Sequence, residues 1–98
     1  MGRRDLLDDG AITAALREVD WQRDGDALVK LAKRRSFRDA IAFVGQVADI
    51  AESMDHHPDI DIRWTTVKLR VSTHSAGGLT QMDVEFAKAV DALPQVPA

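Results

Sequence analysis

From Ser36 to Met54 the apolar residues fall into two series at helical spacing. Phe37, Ile41, Val44, Ala48 and Ala51 form one stripe, and Ala40, Phe43, Val47, Ile50 and Met54 form a second beside it. The spacing predicts one long amphipathic helix. Ser36 followed by Asp39 supplies a capping-box-like start. Two stripes offer more apolar surface than a helix lying on a single sheet face needs. Core packing explains the excess first, and a homo-oligomer interface second. Pro58 sets the helix end near Asp55 to His57, because it disfavours helical geometry in the preceding residue and cannot extend the hydrogen-bond ladder.

Upstream, Asp8 or Asp9 caps a shorter helix that runs through Ile12, Leu16 and Val19 to about Glu18, with Gly10 weakening its first turn. In "DWQRDGDALVKLAKRR" the pair Asp24-Gly25 is a turn signal between two short runs, predicting a β-hairpin from about Asp20 to Arg34. Downstream, Ile60, Ile62 and Trp64 alternate with polar residues, and Val67, Leu69 and Val71 alternate with Lys68, Arg70 and Ser72. That period of two predicts a second antiparallel pair. "SAGG" turns the chain, and Leu79, Thr80, Asp83 and Val84 fit a staple, cap and capping box opening a last helix to about Leu93, with "PQVPA" as a tail. The predicted order is α-β-β-α-β-β-α. It implies an α+β fold: a single four-stranded antiparallel sheet with three helices packed on one face.

Length narrows this to one domain, since 98 residues bury a modest core and leave no room for a second. The ordered core is expected over about 7–93. The absence of cysteine excludes disulfides and thiolate metal ligands. No apolar run approaches membrane-spanning length, so no membrane association and a cytoplasmic setting are expected. With 13 basic against 16 acidic residues and a net charge of −3, the chain lacks the cationic excess that draws a domain onto nucleic acid. The one basic cluster, Lys30, Lys33, Arg34, Arg35 and Arg38, reads as a solvated strand edge and helix start.

The candidate chemistry rests on three histidines: His56 and His57, adjacent in "ESMDHHPDI", and His74 in "STHSAGG". Taken singly, each has an ordinary reading, His56 or His57 as a helix C-terminal cap and His74 as a polar strand end. Carboxylates at Asp55, Asp59 and Asp61 invite a metal site, but adjacent side chains diverge by about 100° on a helix and oppose each other on a strand. No metal is expected. No serine lies in a nucleophile-elbow pattern, and Gly77-Gly78 lacks both the P-loop lysine and the dinucleotide fingerprint. General acid/base chemistry remains, because imidazole titrates near neutral pH. Three histidines suit an elimination, in which one group protonates a leaving hydroxyl and another accepts the partner proton. Glu52, Asp55 and Asp83 are placed to bias their tautomers and charge.

The spacing of these residues resembles the pterin-4a-carbinolamine dehydratase family. Glu52 is followed after three residues by His56-His57-Pro58, then by an aromatic at Trp64, by His74 and by Asp83, and "DHHPD", "VKLRVSTH" and "AGGLT" are similar too. The resemblance covers about Leu7 to Leu93 and implies the same α+β fold. It implies dehydration of 4a-hydroxytetrahydrobiopterin, or a related 4a-hydroxytetrahydropterin, to the quinonoid dihydropterin, recycling the cofactor of aromatic amino acid hydroxylases. No cofactor is implied. By the same resemblance His56 and His74 are general acids at the two faces of the substrate, and His57 positions the pterin. Asp55 to His57 and Ser72 to Ser75, including Thr73, would hold the ring, with Glu52, Pro58, Trp64 and Asp83 in support and Trp21 structural. The chain departs from the family at Ile60, where an aromatic is common, at Ser75, where an acidic residue is frequent, and at Met82, where a charge is usual. These differences bear on pocket shape and rate. A homodimer or homotetramer is expected. The alternative is a binding module on the same scaffold, since relatives act as a transcription-factor dimerisation partner or in Rubisco assembly.

Overall fold

The computed structural model of the chain describes residues 2–94. Helix α1 spans Asp9–Leu16, strands β1 and β2 span Gln22–Asp24 and Ala27–Lys33, helix α2 spans Phe37–Met54, strands β3 and β4 span Asp59–Arg63 and Thr66–Val71, and helix α3 spans Gln81–Asp91. The sheet is antiparallel throughout, in the order β1-β2-β4-β3. The α+β architecture and the α-β-β-α-β-β-α order predicted from the sequence are both observed. Residues 95–98, most of the tail read from the sequence, lie outside the described residues.

The register puts Leu28 opposite Val71, Lys30 opposite Leu69 and Ala32 opposite Val67, so one face of the central strands carries the apolar residues. Ile12 from α1, Ala40, Phe43, Val47 and Ala51 from α2, and Phe86, Ala87 and Val90 from α3 cover that face and form the core with it. Leu31, Lys33 and Lys68 lie exposed on the other face.

The two apolar stripes of α2 have separate fates. Ala40, Phe43, Val47 and Ala51 are buried, Val44, Ile50 and Met54 are half-buried, and Phe37 and Ile41 are 54% and 45% exposed. The excess apolar surface thus lies on the solvent side of the helix start. Ser36 caps α2 by accepting from the Asp39 N–H at 3.0 Å, but the Asp39 carboxylate accepts from Arg35 Nε at 3.2 Å and so does not complete a box.

Several boundaries shift. Helix α1 stops at Leu16, because the Arg17 and Glu18 N–H groups tighten onto the Ala14 and Ala15 carbonyls in 3-10 fashion. Helix α3 stops at Asp91 and not Leu93. Trp64 lies in the β3–β4 turn rather than in a strand, with φ +51° and 79% exposure. The alternation that included it ends at Ile62, because the chain reverses one residue beyond Arg63.

Helix α2 ends in a Schellman motif. The His56 N–H reaches the Ala51 carbonyl at 3.0 Å and the Asp55 N–H reaches Glu52 at 3.3 Å, with Asp55 left-handed at φ +49°. Glycine is the usual residue there, because a Cβ disfavours this region. Asp55→Gly is therefore expected to raise stability by about 0.5–1 kcal/mol, seen as a higher urea midpoint. The left-handed residue and Pro58 together throw His56 and His57 off the helix end, just ahead of β3.

Candidate active site

Strand β3 starts just after His56-His57-Pro58, and β4 runs back beside it with Asp59 opposite Arg70. The segment after Val71 therefore returns to the end of the sheet where the histidine pair stands. There Ser72 and Thr73 lead into a 3-10 turn, His74–Ala76, closed by Gly77 at φ +79°. Helix α3 begins at the same end, its Thr80 and Asp83 forming the predicted capping box.

Side-chain hydrogen bonds join these three segments. His56 Nε2 lies 2.7 Å from Asp83 Oδ1, and the other carboxylate oxygen accepts from Thr73 Oγ1 at 2.8 Å and from the Thr80 N–H at 2.9 Å. Thr73 Oγ1 also lies 2.7 Å from Thr80 Oγ1, which accepts from the Met82 N–H at 3.2 Å. Asp83 and Thr80 are fully buried, Thr73 is 2% exposed and His56 7%. The protons can be placed by counting. A carboxylate has none to give, so His56 Nε2–H donates to Asp83. Thr73 spends its single hydroxyl proton on the same carboxylate, so Thr80 donates to Thr73.

The other nitrogen of His56 makes no hydrogen bond to any described residue. Every buried side-chain nitrogen or oxygen among the described residues has a hydrogen-bond partner. His56 Nδ1 has none among the described residues, so it is not sealed inside the core. A histidine held at one nitrogen by a buried carboxylate and open at the other is oriented for proton exchange through the open nitrogen. Phe86 packs edge-on against the ring with centroids 6.3 Å apart and fixes its plane.

His57 behaves differently. Its ring is 55% exposed and Nε2 meets the exposed Glu52 carboxylate at 2.6 Å, a surface pair that steers the ring and contributes little to stability. His74 is exposed on the 3-10 turn and makes no side-chain hydrogen bond among the described residues. Asp55 and Ser75 are exposed and Ser72 is half-buried. The residues read from the sequence as Asp55, His56, His57, Pro58, Ser72, Thr73, His74, Ser75 and Asp83 thus collect at one end of the β3–β4 pair, with Glu52 one helical turn before.

Trp64 is not brought there. It caps the opposite end of the hairpin, five residues along β3 and so about 16 Å away within the chain. Of the departures from the family, Met82 is buried within α3, Ile60 is 39% exposed on edge strand β3 and Ser75 is exposed. Trp21 is structural: it is buried on Phe86, and its Nε1–H donates to Asp91 Oδ1 at 3.0 Å. Asp91 also accepts from the Asp20 N–H and pairs with Lys30, tying the α1–β1 connection to α3. Among the described residues no group of three His, Asp or Glu side chains forms a metal-ligand set. No described helix is long and apolar enough to cross a membrane.

Sequence reasoning missed Phe86 as the ring support and saw Thr80 only as a cap. Phe86 lies three residues after Asp83, on the same face of α3, and that spacing was the available signal.

The family model described as pterin 4 alpha carbinolamine dehydratase matches residues 5–93. A protein of Nocardia farcinica (strain IFM 10152), named "Putative pterin-4-alpha-carbinolamine dehydratase", is 50% identical over 91% of this chain and 95% of its own. One of Thermomicrobium roseum with the same name is 48% identical over 84% and 89%. Among solved structures, a transcriptional coactivator/pterin dehydratase from Brucella melitensis superposes with a TM-score of 0.85 at 32% identity, covering 90% of this chain and 97% of that one. A pterin dehydratase-like protein identified as a RuBisCO assembly factor in the alpha-carboxysome matches with a TM-score of 0.61 at 26% identity over 76% and 87%. The chain belongs to the pterin 4 alpha carbinolamine dehydratase family.

Proposed function

We propose that this protein dehydrates a 4a-hydroxytetrahydropterin, 4a-hydroxytetrahydrobiopterin or a close relative, to the quinonoid dihydropterin and water. The observation that carries the reading is His56, locked at Nε2 by buried Asp83 and open at Nδ1, at the sheet end where His57 and His74 also stand. In the reaction the C4a–O bond breaks as an imidazolium gives its proton to the departing hydroxyl. The N5–H proton leaves to a base, and the N5 electrons form the C4a=N5 bond. No electrons are exchanged with a cofactor. His56 and His74 serve as the acids at the two faces of the ring, while His57, steered by Glu52, positions the pterin. Asp55, Ser72 and Ser75 hold its polar edge, with buried Thr73 behind them. A product-like 7,8-dihydropterin titrated into 15N-labelled protein is expected to move the ring signals of His57 and His74. Unmoved signals at millimolar pterin would reject the site.

An assembly is part of this proposal. Phe37 and Ile41 lie exposed on α2, and Ile60 on the free edge strand β3, so apolar surface remains for a second copy to cover as a homodimer or homotetramer. Light scattering at micromolar concentration is expected to give a multiple of the chain mass, and Ile41→Glu to shift it toward one chain. A single-chain mass for the unsubstituted protein would contradict this.

The second reading, a binding module on this scaffold, draws on the same exposed stripe and on the assembly role named for one structural neighbour. It predicts an oligomer with no dehydratase activity.

A further inference from the structure

Thr73 stands where the two acids of the proposed reaction meet structurally, and the inference rests on that reading of the site. Its hydroxyl donates to Asp83 Oδ2 at 2.8 Å, and that carboxylate holds His56 Nε2 at 2.7 Å through its other oxygen. Its backbone closes the turn that carries His74: the N–H donates to the Gly78 carbonyl at 2.9 Å, and its carbonyl accepts from Ala76 at 3.0 Å and Gly77 at 3.0 Å. The residue is only 2% exposed, so its side chain is not free to touch a substrate ring. Behind it, Thr80 supplies the hydroxyl proton that Thr73 accepts, which leaves Thr73 one proton and one direction in which to give it.

We propose that Thr73 is a positioning residue for both acids: its hydroxyl fixes the Asp83 carboxylate that orients His56, and its backbone fixes the turn that presents His74. Without the hydroxyl, Asp83 Oδ2 keeps only the Thr80 N–H and the carboxylate gains a rotation it does not now have. His56 then loses the single orientation that keeps Nδ1 open, although its own bond to Asp83 survives. Hydrogen bonds to a charged group set the scale of the effect, about one order of magnitude in rate.

The test compares Thr73→Val, which keeps shape and loses the hydroxyl, with Thr73→Ser, which keeps the hydroxyl. Thr73→Val is expected to lower kcat about tenfold with KM changed less than about twofold, and Thr73→Ser to restore most of the rate. The 15N ring signals of His56 report the orientation without any turnover. In the unsubstituted protein the neutral ring is expected as the Nε2–H tautomer, in Thr73→Val as a mixture, with His57 unchanged in both. Thr73→Val with unaltered kcat and unaltered His56 signals would overturn the proposal, as would an Nδ1–H tautomer in the unsubstituted protein. Should the valine variant not fold, Thr73→Ala against Thr73→Ser isolates the same oxygen, and equal rates would be decisive against it. An inactive unsubstituted protein whose His56 signals follow this pattern would reject the dehydratase reading and leave the positioning intact, so the two failures are separable.

Discussion

Substituting alanine for His56 is expected to lower kcat/KM for dehydration by about 10²-fold or more, the range that a positioned general acid supplies. The substitution removes the ring that joins buried Asp83 to the surface through Nδ1. It also leaves buried Asp83 short of one donor, so stability falls by about 1–3 kcal/mol. Circular dichroism and a thermal melt separate this loss from the kinetic one, since a fraction of unfolded chain lowers the apparent enzyme concentration and not KM. His74→Ala is expected to give a comparable loss of rate with almost no loss of stability, because that ring is exposed and has no hydrogen-bond partner among the described residues. His57→Ala should act mainly on KM. Unchanged rates in both the His56 and His74 variants would reject the assignment of the acids.

The largest effect on folding is expected at Asp83. Its side chain is fully buried and accepts from His56, Thr73 and the Thr80 N–H, so Asp83→Ala strands three donors in the interior. Breaking such a buried network by removing its acceptor costs about 3–5 kcal/mol. For a domain of this size that is a large share of the total stability. Urea unfolding should show the midpoint falling sharply. Asp83→Asn retains the volume but turns an amide N–H₂ toward groups that are themselves donors, so His56 must flip or tilt. A folded but slow protein is expected from it, a pattern that a purely structural aspartate would not give. An unfolding free energy within about 1 kcal/mol of that of the unsubstituted protein for Asp83→Ala would contradict the network described above.

Much of the fold was legible because local chemistry and packing agree at the decisive positions. Ser36 and Thr80 stand as caps in the structure as in the sequence reading, Pro58 follows the end of α2, and the alternation of Val67, Leu69 and Val71 marks the buried face of a central strand. What was not legible depends on partners distant in sequence. The two stripes of α2 have nearly the same composition, and only the position of the sheet and α3 decides that Phe43 and Val47 are buried while Phe37 and Ile41 are not. Trp64 continued the alternation of β3 on paper, but the hairpin reverses there, which moves it from a supporting place at the site to the far end of the sheet. The network around Asp83 was half legible: capping chemistry placed Asp83 at the start of α3, but nothing local tells that its carboxylate also faces a histidine 27 residues upstream and a threonine 10 residues upstream. Asp55 illustrates the limit from the other side. Its left-handed conformation is invisible in the sequence, because glycine would be the ordinary choice at that cap.

The central claim is the dehydration itself, and the most direct measurement generates a 4a-hydroxytetrahydropterin in the presence and absence of this protein and follows its conversion spectroscopically. The expected result is conversion faster than the spontaneous rate, first order in protein, without added metal or cofactor, and lost on replacing His56 and His74 together. Conversion at the spontaneous rate by folded protein would contradict the account and leave the binding-module reading in its place.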